Sequence, residues 1–323
     1  METARANNPV GGEGRIRPAP GKTEVNGILV LDKPEGITSF AAVDKARRWL
    51  RLKKAGHCGT LDPIATGVLV ICVNQATRIA ELLSGHDKVY RFTVRMGVET
   101  DTLDRAGEVT AQYEGEPRTR EELERAIETF RGGYRQEVPK YAAVKVQGKR
   151  LYKWARAGVE MERPTRDVSL PSIELIDWNW PEAVMEVSCS KGTYIRQLVS
   201  DIGREMGCGA HVAELKRLAS GPFTIDQAVS LEELRQAHDG GDWMDHLIPL
   251  SKALNHLPSV TINEQAVLDR LLDGHLDPRW EARNLPGFIK GDLPVRLLDP
   301  EDNMLAIWWP KPAAGQRKLR LFR

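Results

Sequence analysis

The chemistry of this chain concentrates in one stretch: Gly56-His57-Cys58-Gly59-Thr60-Leu61-Asp62-Pro63-Ile64-Ala65-Thr66-Gly67. Small and turn-forming residues surround a single carboxylate there. Proline disfavours helical φ/ψ in the residue before it, so Asp62 should be presented from an extended loop. A carboxylate so placed has three readings: a turn former, a metal ligand or a nucleophile. The sequence gives the metal reading little support. Cysteines stand only at 58, 72, 189 and 208 with no C-x-x-C pair, and Cys208-x-x-His211 has no partner pair nearby.

Structured elements must hold such a loop. Ile28 to Leu31, between Gly27 and Pro34, and Val68 to Val73 are short apolar runs that read as buried strands, the second just after Asp62. Thr38 and Ser39 offer N-caps to a helix over Phe40 to Leu50. Lys45, Arg47, Arg48, Arg51, Lys53 and Lys54 crowd its end, a patch that suits either phosphate or a solvated helix terminus whose cations complement the dipole. Residues 89 to 96 alternate, with Tyr90, Phe92, Val94 and Met96 on one face of a half-buried strand. Thr119 with Glu122 predicts a capping box, and Leu123, Ala126, Ile127 and Phe130 continue at helical spacing to Gly132-Gly133. Val184 to Ser190 predicts a strand and Lys191-Gly192 a turn. Ile195, Leu198, Val199, Ile202 and Met206 then form a helical stripe that ends near Gly207. Strands and helices mix without a regular βαβ repeat, which favours an α+β layered fold over a doubly wound one.

The chain has 323 residues, 41% hydrophobic and 28% charged, which suggests about two globular domains and excludes a disulfide mini-protein or a wholly disordered chain. Lys+Arg 46 against Asp+Glu 45 gives a net charge of +1, so a polyanion could be held only by local basic surfaces. One exists. Between Arg131 and Arg166 ten cations face three acids, a local charge of +7, so the remainder must sum to −6. Tyr134, Tyr141, Tyr152 and Trp154 are interleaved with those cations, the composition of a surface that contacts phosphates and stacks on bases. A basic hairpin whose aromatics pack on the main body is the alternative. Residues 1–24, with four Gly and three Pro, read as a disordered tail. After residue 250 a smaller β-rich module is expected, with strand-like Leu305 to Trp309 and five cations but no acid over Lys311 to Arg323; a basic tail is the alternative there. No apolar run approaches the roughly 20 residues that span a bilayer, and no apolar signal core is evident, so a soluble protein of a reducing compartment is expected.

The segment GHCGTLDPIATG resembles the signature of the TruB family of tRNA pseudouridine synthases. The likeness continues in order through DKPEG at 32 to 36, DKVYRF at 87 to 92, TDTLD at 100 to 104, YAAVKVQGKRLYKWARAG at 141 to 158, CSKGTYIRQL at 189 to 198 and GCGAHVAELKRL at 207 to 218. It covers about residues 27 to 225, is nearer the bacterial than the guide-dependent members, and weakens after 250. Cys58 stands where many relatives have threonine. The resemblance implies a mixed, largely antiparallel central sheet flanked by helices over residues 25–250, and a PUA-like RNA-binding module over 251–323. It also implies isomerisation of the T-loop uridine at position 55 of tRNA, in the cytoplasm. No cofactor, metal, membrane or obligate protein partner is implied, and a monomer is expected.

By the same resemblance Asp62 is the catalytic aspartate, Arg196 its cationic partner, and Tyr90 a stacking surface under the base and a candidate proton acceptor. His57 would fill the gap left by the extruded nucleotide. Tyr194, Leu215 and Lys33 would contact substrate, and Asp104 would support Arg196. Residues 131–166 would form an arm closing on the T-arm through Lys145, Lys149, Arg150 and Lys153, while the C-terminal module reaches towards the acceptor stem. Two other readings compete: a tRNA-folding chaperone with incidental catalysis, and a synthase that acts on another RNA.

Overall fold

The computed structural model describes residues 25–240, 243–285, 287, 292–312 and 318–322; the expected tail at 1–24 lies outside them. The chain starts with β1 (Gly27–Lys33), α1 (Ser39–Trp49), β2 (Ala55–His57), β3 (Ala65–Val73) and β4 (Lys88–Met96). It continues through α2 (Arg120–Glu128), β5 (Gly132–Glu137), α3 (Leu151–Arg156) and β6 (Thr165–Leu170). β7 (Ser172–Asn179), β8 (Glu182–Cys189), α4 (Ile195–Glu205), β9 (Ala210–Ser220) and β10 (Val229–Ser230) follow. The main sheet runs β7-β8-β4-β9-β3-β1-β10, with β2 paired to β3. Only β9–β3 and β1–β10 are parallel along that path, so the sheet is mixed and largely antiparallel, and the fold is α+β.

The apolar runs of β1 and β3 have a physical cause: both faces of these strands are covered. Leu29, Leu31, Leu69 and Ile71 face a core completed by α1, α2 and α4, whereas Ile28, Val30, Val68 and Val70 face a second core. Farther out the sheet is covered on one side only. Tyr90, Phe92, Val94 and Met96 of β4 are buried, while Arg91 and Arg95 on the other face pair with Glu186 and Glu182 of β8. Thr38 caps α1 by accepting from the Ala41 amide, and Thr119 and Glu122 make both bonds of the capping box ahead of α2. At the end of α1, Arg47 and Arg48 both pair with Asp44, and Lys45, Arg51, Lys53 and Lys54 of that patch are exposed.

β5 and β6 pair antiparallel to form the base of an arm, capped by the short hairpin Lys145–Val146 with Lys149–Arg150 and by α3. Val138, Ala142 and Leu151 give the arm a small core of its own. Lys145, Lys149, Arg150 and Lys153 are all exposed on it. Its aromatics do not form one stacking surface. Tyr134 meets Phe130 edge-on and donates to Asp201 of α4 at 2.9 Å, because β5 is the strand that joins the arm to the body. Lys149 lies over the Trp154 ring and Arg156 over that of Tyr152, so these two rings support cations.

The C-terminal part builds a separate sheet from β11 (Ser259–Thr261), β12 (Val295–Leu298), β13 (Met304–Trp308) and β14 (Leu319–Leu321). Ile262, Leu271, Trp280, Val295, Leu297 and Trp308 form its core. Ile307, Trp309 and Phe322 point the other way and join the second core beneath β1, so the module is docked on the main sheet. Two short helices, Gln265–Leu272 and Pro278–Asn284, also belong to it; Asp277 caps the second by accepting from the amides of Arg279 and Trp280.

Candidate active site

The loop that carries Asp62 is tied down from three sides. Ser39, at the start of α1, donates to the Leu61 carbonyl (3.0 Å) and accepts from the Leu61 amide (2.8 Å). The Gly36 amide donates to the Pro63 carbonyl at 2.8 Å. Arg217 of β9 donates through Nε to the Val68 carbonyl at 2.7 Å, and its outer nitrogens reach the carbonyls of Gly59 (3.3 Å) and Thr60 (3.5 Å). Lys33 is fully buried beneath the same loop. Its ammonium donates to the carbonyls of Pro34 and Ile37 at 2.8 Å each and lies 3.5 Å from that of Pro63. Grouped with the substrate contacts in the sequence reading, Lys33 therefore holds loop backbone here and is not part of the cavity lining, since burial commits its donors to backbone carbonyls. The same burial pushes its pKa down to about 8, against the raising effect of Asp62.

Asp62 is held at one oxygen. Arg196, near the start of α4, donates through Nε to Asp62 Oδ2 at 2.8 Å. Its Nη1 donates to the Thr102 carbonyl at 2.7 Å, with Asp104 Oδ2 at 3.6 Å, and its Nη2 donates to the Tyr141 carbonyl at 3.2 Å. The Arg196 side chain is only 5% exposed while that of Asp62 is 37% exposed. A buried guanidinium thus orients a carboxylate whose other oxygen is open to a cavity. Asp104 is itself fixed by donors from Thr102 Oγ1 (2.8 Å) and the Ala106 amide (3.0 Å).

That cavity, of about 280 Å³, is lined by Asp62, Tyr90, Tyr194, Arg196 and Leu215 among others. Five residues drawn from distant parts of the sequence therefore meet at one place. Leu215 and Tyr90 come from adjacent strands β9 and β4, and the buried Tyr90 phenol has its pKa pushed up by burial, with Arg217 pulling it back. Tyr194 precedes α4. Its backbone is clamped by Gln136 of the arm, whose side chain accepts from the Tyr194 amide (2.8 Å) and donates to the Tyr194 carbonyl (3.1 Å). Arg166 lies 5.3 Å over the Tyr194 ring. His57, at the end of β2, and Asp104, behind Arg196, are not part of the lining. Burial lowers the pKa of His57, and Arg217 adds to the effect.

Arg217 and Lys88 are lining residues that sequence reasoning did not single out, and Tyr141, read there only as one of the arm's stacking aromatics, joins them. The signal for two of them was present. Lys88 extends the buried face of Tyr90, Phe92, Val94 and Met96 by one strand step, and Arg217 shares the inward parity of Leu215. A basic residue at an inward strand position is rare enough to mark a site. Tyr141 had no such signal, because its place depends on how the arm folds back: its hydroxyl donates to Asp101 Oδ2 at 3.1 Å while its carbonyl accepts from Arg196. Among the described residues no three His, Cys, Asp or Glu side chains converge as a metal site, and no helix is long and apolar enough to cross a membrane. Chemically, the arrangement offers one oriented carboxylate at the rim of a pocket with apolar and aromatic walls that is able to hold a flat ring.

Comparison with known proteins agrees with this geometry. Residues 47–195 match the family described as "TruB family pseudouridylate synthase (N terminal domain)", and residues 196–255 match "tRNA pseudouridylate synthase B C-terminal domain". A protein of Syntrophobacter fumaroxidans named "tRNA pseudouridine synthase B" is 52% identical over 301 residues, covering 93% of this chain and 98% of its own. One of the same name from Geobacillus thermodenitrificans is 42% identical over 309 residues, covering 93% and 100%. Among solved structures, the "Crystal Structure of a Cbf5-Nop10-Gar1 Complex" aligns with TM-score 0.67 at 26% identity, covering 92% of this chain and 84% of that one. The "Structure of H/ACA RNP bound to a substrate RNA containing 2'-deoxyuridine" aligns at 0.65, also at 26% identity, covering 88% and 77%. With its sheet, its Asp62 loop and its relatives in agreement along most of its length, the chain belongs to the TruB family of pseudouridylate synthases.

Proposed function

We propose that the chain converts the T-loop uridine at position 55 of tRNA to pseudouridine, without cofactor or metal. The observation that carries this reading is the 2.8 Å contact between Arg196 and an Asp62 carboxylate that still faces a cavity walled by Tyr90 and Leu215. The names of the relatives support tRNA as substrate, and the neighbour solved with a substrate RNA supports an RNA-facing site.

In the reaction the bond from ribose C1′ to uracil N1 breaks and its electron pair leaves with the base. The base turns within the pocket, C5 bonds to C1′, the C5 proton is lost to a base, and N1 takes up a proton. Asp62 is placed to act at the sugar, as nucleophile or as the group that stabilises positive charge there. Arg196 fixes which oxygen it presents. Because the target base is stacked in the T-loop, it must be turned out, at a cost of about a few kcal/mol that contacts with Tyr90 and Leu215 offset. The exposed cations Lys145, Lys149, Arg150 and Lys153 meet phosphates of the T-arm as the arm closes. The chain works as a monomer in the cytoplasm, its C-terminal module extending the contact towards the acceptor stem.

Mass-spectrometric mapping of pseudouridine in all RNA from a deletion strain tests this reading. The expected result is loss at tRNA position 55 alone, restored by the wild-type chain. Pseudouridine intact everywhere would favour a folding chaperone, and loss in a different RNA would favour another substrate.

A further inference from the structure

Arg217, like Lys88, is a buried cation of the cavity lining that the reaction as described leaves unused. It is 1% exposed, and among the described residues no carboxylate lies within ion-pair distance of it. Its charge instead helps lower the pKa of Lys33, Lys88 and His57. A cation buried without a counter-ion among other bases costs free energy, offset here by its donations to the Val68, Gly59 and Thr60 carbonyls. Its position allows a second role. In the sheet register Arg217 lies opposite Gly67 of β3 on one side and Tyr90 of β4 on the other. Gly67 has φ +94°, and a Cβ there would overlap the Arg217 carbonyl, so only glycine admits β9 this close. The side chain is anchored by Nε to Val68, while Nη1 reaches the Tyr90 hydroxyl at 3.5 Å, a loose contact of the kind that tightens when a substrate closes the site.

We propose that Arg217 is a positioning residue for this reaction: by donating to the Tyr90 hydroxyl oxygen it turns that O–H into the cavity, where it donates to a uracil carbonyl as negative charge gathers on the detached base. The inference rests on the pseudouridine synthase reading. Tyr90 is then a hydrogen-bond donor in the neutral form, which its burial favours, and its polarisation by Arg217 strengthens the bond it gives.

The test is a double-mutant cycle of Arg217→Lys and Tyr90→Phe, followed by single-turnover kinetics on tRNA, with Asp62→Asn alongside. Arg217→Lys keeps the charge but loses the fork, and is expected to lower kcat about tenfold with KM changed less than about threefold. In the Tyr90→Phe background the same substitution should change kcat less than about twofold. An equal loss in both backgrounds, or a loss confined to KM, would mean that Arg217 is merely structural, and the proposal would fall. Should Arg217→Lys not fold, the pH profile of Tyr90→Phe against wild type decides. The charged and titratable groups that act on the Tyr90 hydroxyl are Arg217, Cys189 and Asp62, and Lys88 of its own strand lines the same cavity. The donor role predicts no alkaline rise in wild-type kcat that Tyr90→Phe abolishes; such a rise would make Tyr90 a base and overturn the proposal. Full activity in Asp62→Asn would instead sink the underlying reading.

Discussion

Arg196 grips Asp62 through Nε and leaves its two terminal nitrogens for other partners: Nη1 for Thr102 of the body and Nη2 for Tyr141 of the arm. One guanidinium therefore connects the carboxylate, the main domain and the arm. A lysine has a single point charge and cannot span the three. Arg196→Lys is expected to lower kcat by about 10²-fold or more. It should also destabilise the fold by about 2–4 kcal/mol, since the Thr102 and Tyr141 carbonyls lose their donor and Asp104 its ion-pair partner. Single-turnover rates and denaturant unfolding measure the two effects separately.

Lys33 gives a pH prediction of definite sign. Its pKa is about 8 in the fold and about 10.5 when unfolded. Between those values the unfolded chain binds more protons, so this residue makes stability rise with pH there and withdraws that contribution as pH falls through 8. Comparing wild type with Lys33→Met between pH 8 and 10, the wild type should gain on the order of 2 kcal/mol relative to the variant. Lys88 titrates in the same direction in both proteins and cancels. A difference that stays flat would show that Lys33 is not held as buried as its contacts imply.

The arm should act on binding and leave the chemical step alone. Neutralising Lys145, Lys149, Arg150 and Lys153 together is expected to reduce the slope of log K against log salt by up to about 3–4, with kcat at saturating tRNA nearly unchanged. Filter binding at several salt concentrations reads the slope. An unchanged slope would remove the arm from the interface.

Gly67 tests how closely β9 must approach the Asp62 loop. With φ +94° and the Arg217 backbone where a side chain would go, Gly67→Ala is expected to cost about 3 kcal/mol or more, measurable by thermal unfolding. Gly36, also at positive φ but with open space around it, should tolerate alanine at the smaller cost of backbone strain alone.

Local rules made much of this legible in advance. Thr119 and Glu122 announce a capping box, the β4 alternation reports its buried face, and the unbroken apolar runs of β1 and β3 follow from burial on both sides. The five residues that meet in the cavity were reached through family resemblance, since no periodicity links Asp62 with Arg196 134 positions away. What stayed hidden depends on long-range packing. Lys33 stands by resemblance among the substrate contacts, yet it is buried beneath the Asp62 loop. Tyr134 reads as part of a stacking surface, yet Asp201 and Phe130 claim it for the core. The two helices of the C-terminal module, eight and seven residues long, were missed although Val267, Leu268 and Leu271 recur at helical spacing in the first and Asp277-Pro278 marks the start of the second.

The most direct test replaces one oxygen. Asp62→Asn keeps the size and much of the hydrogen bonding at the Arg196 contact but removes the negative charge that acts at the sugar in the proposed reaction. Purified variant and wild type would be compared for pseudouridine formed at tRNA position 55 and for tRNA affinity under the same salt. The account predicts pseudouridine formation at least about 10³-fold slower, with affinity within a few-fold of wild type. Turnover near the wild-type rate would contradict it.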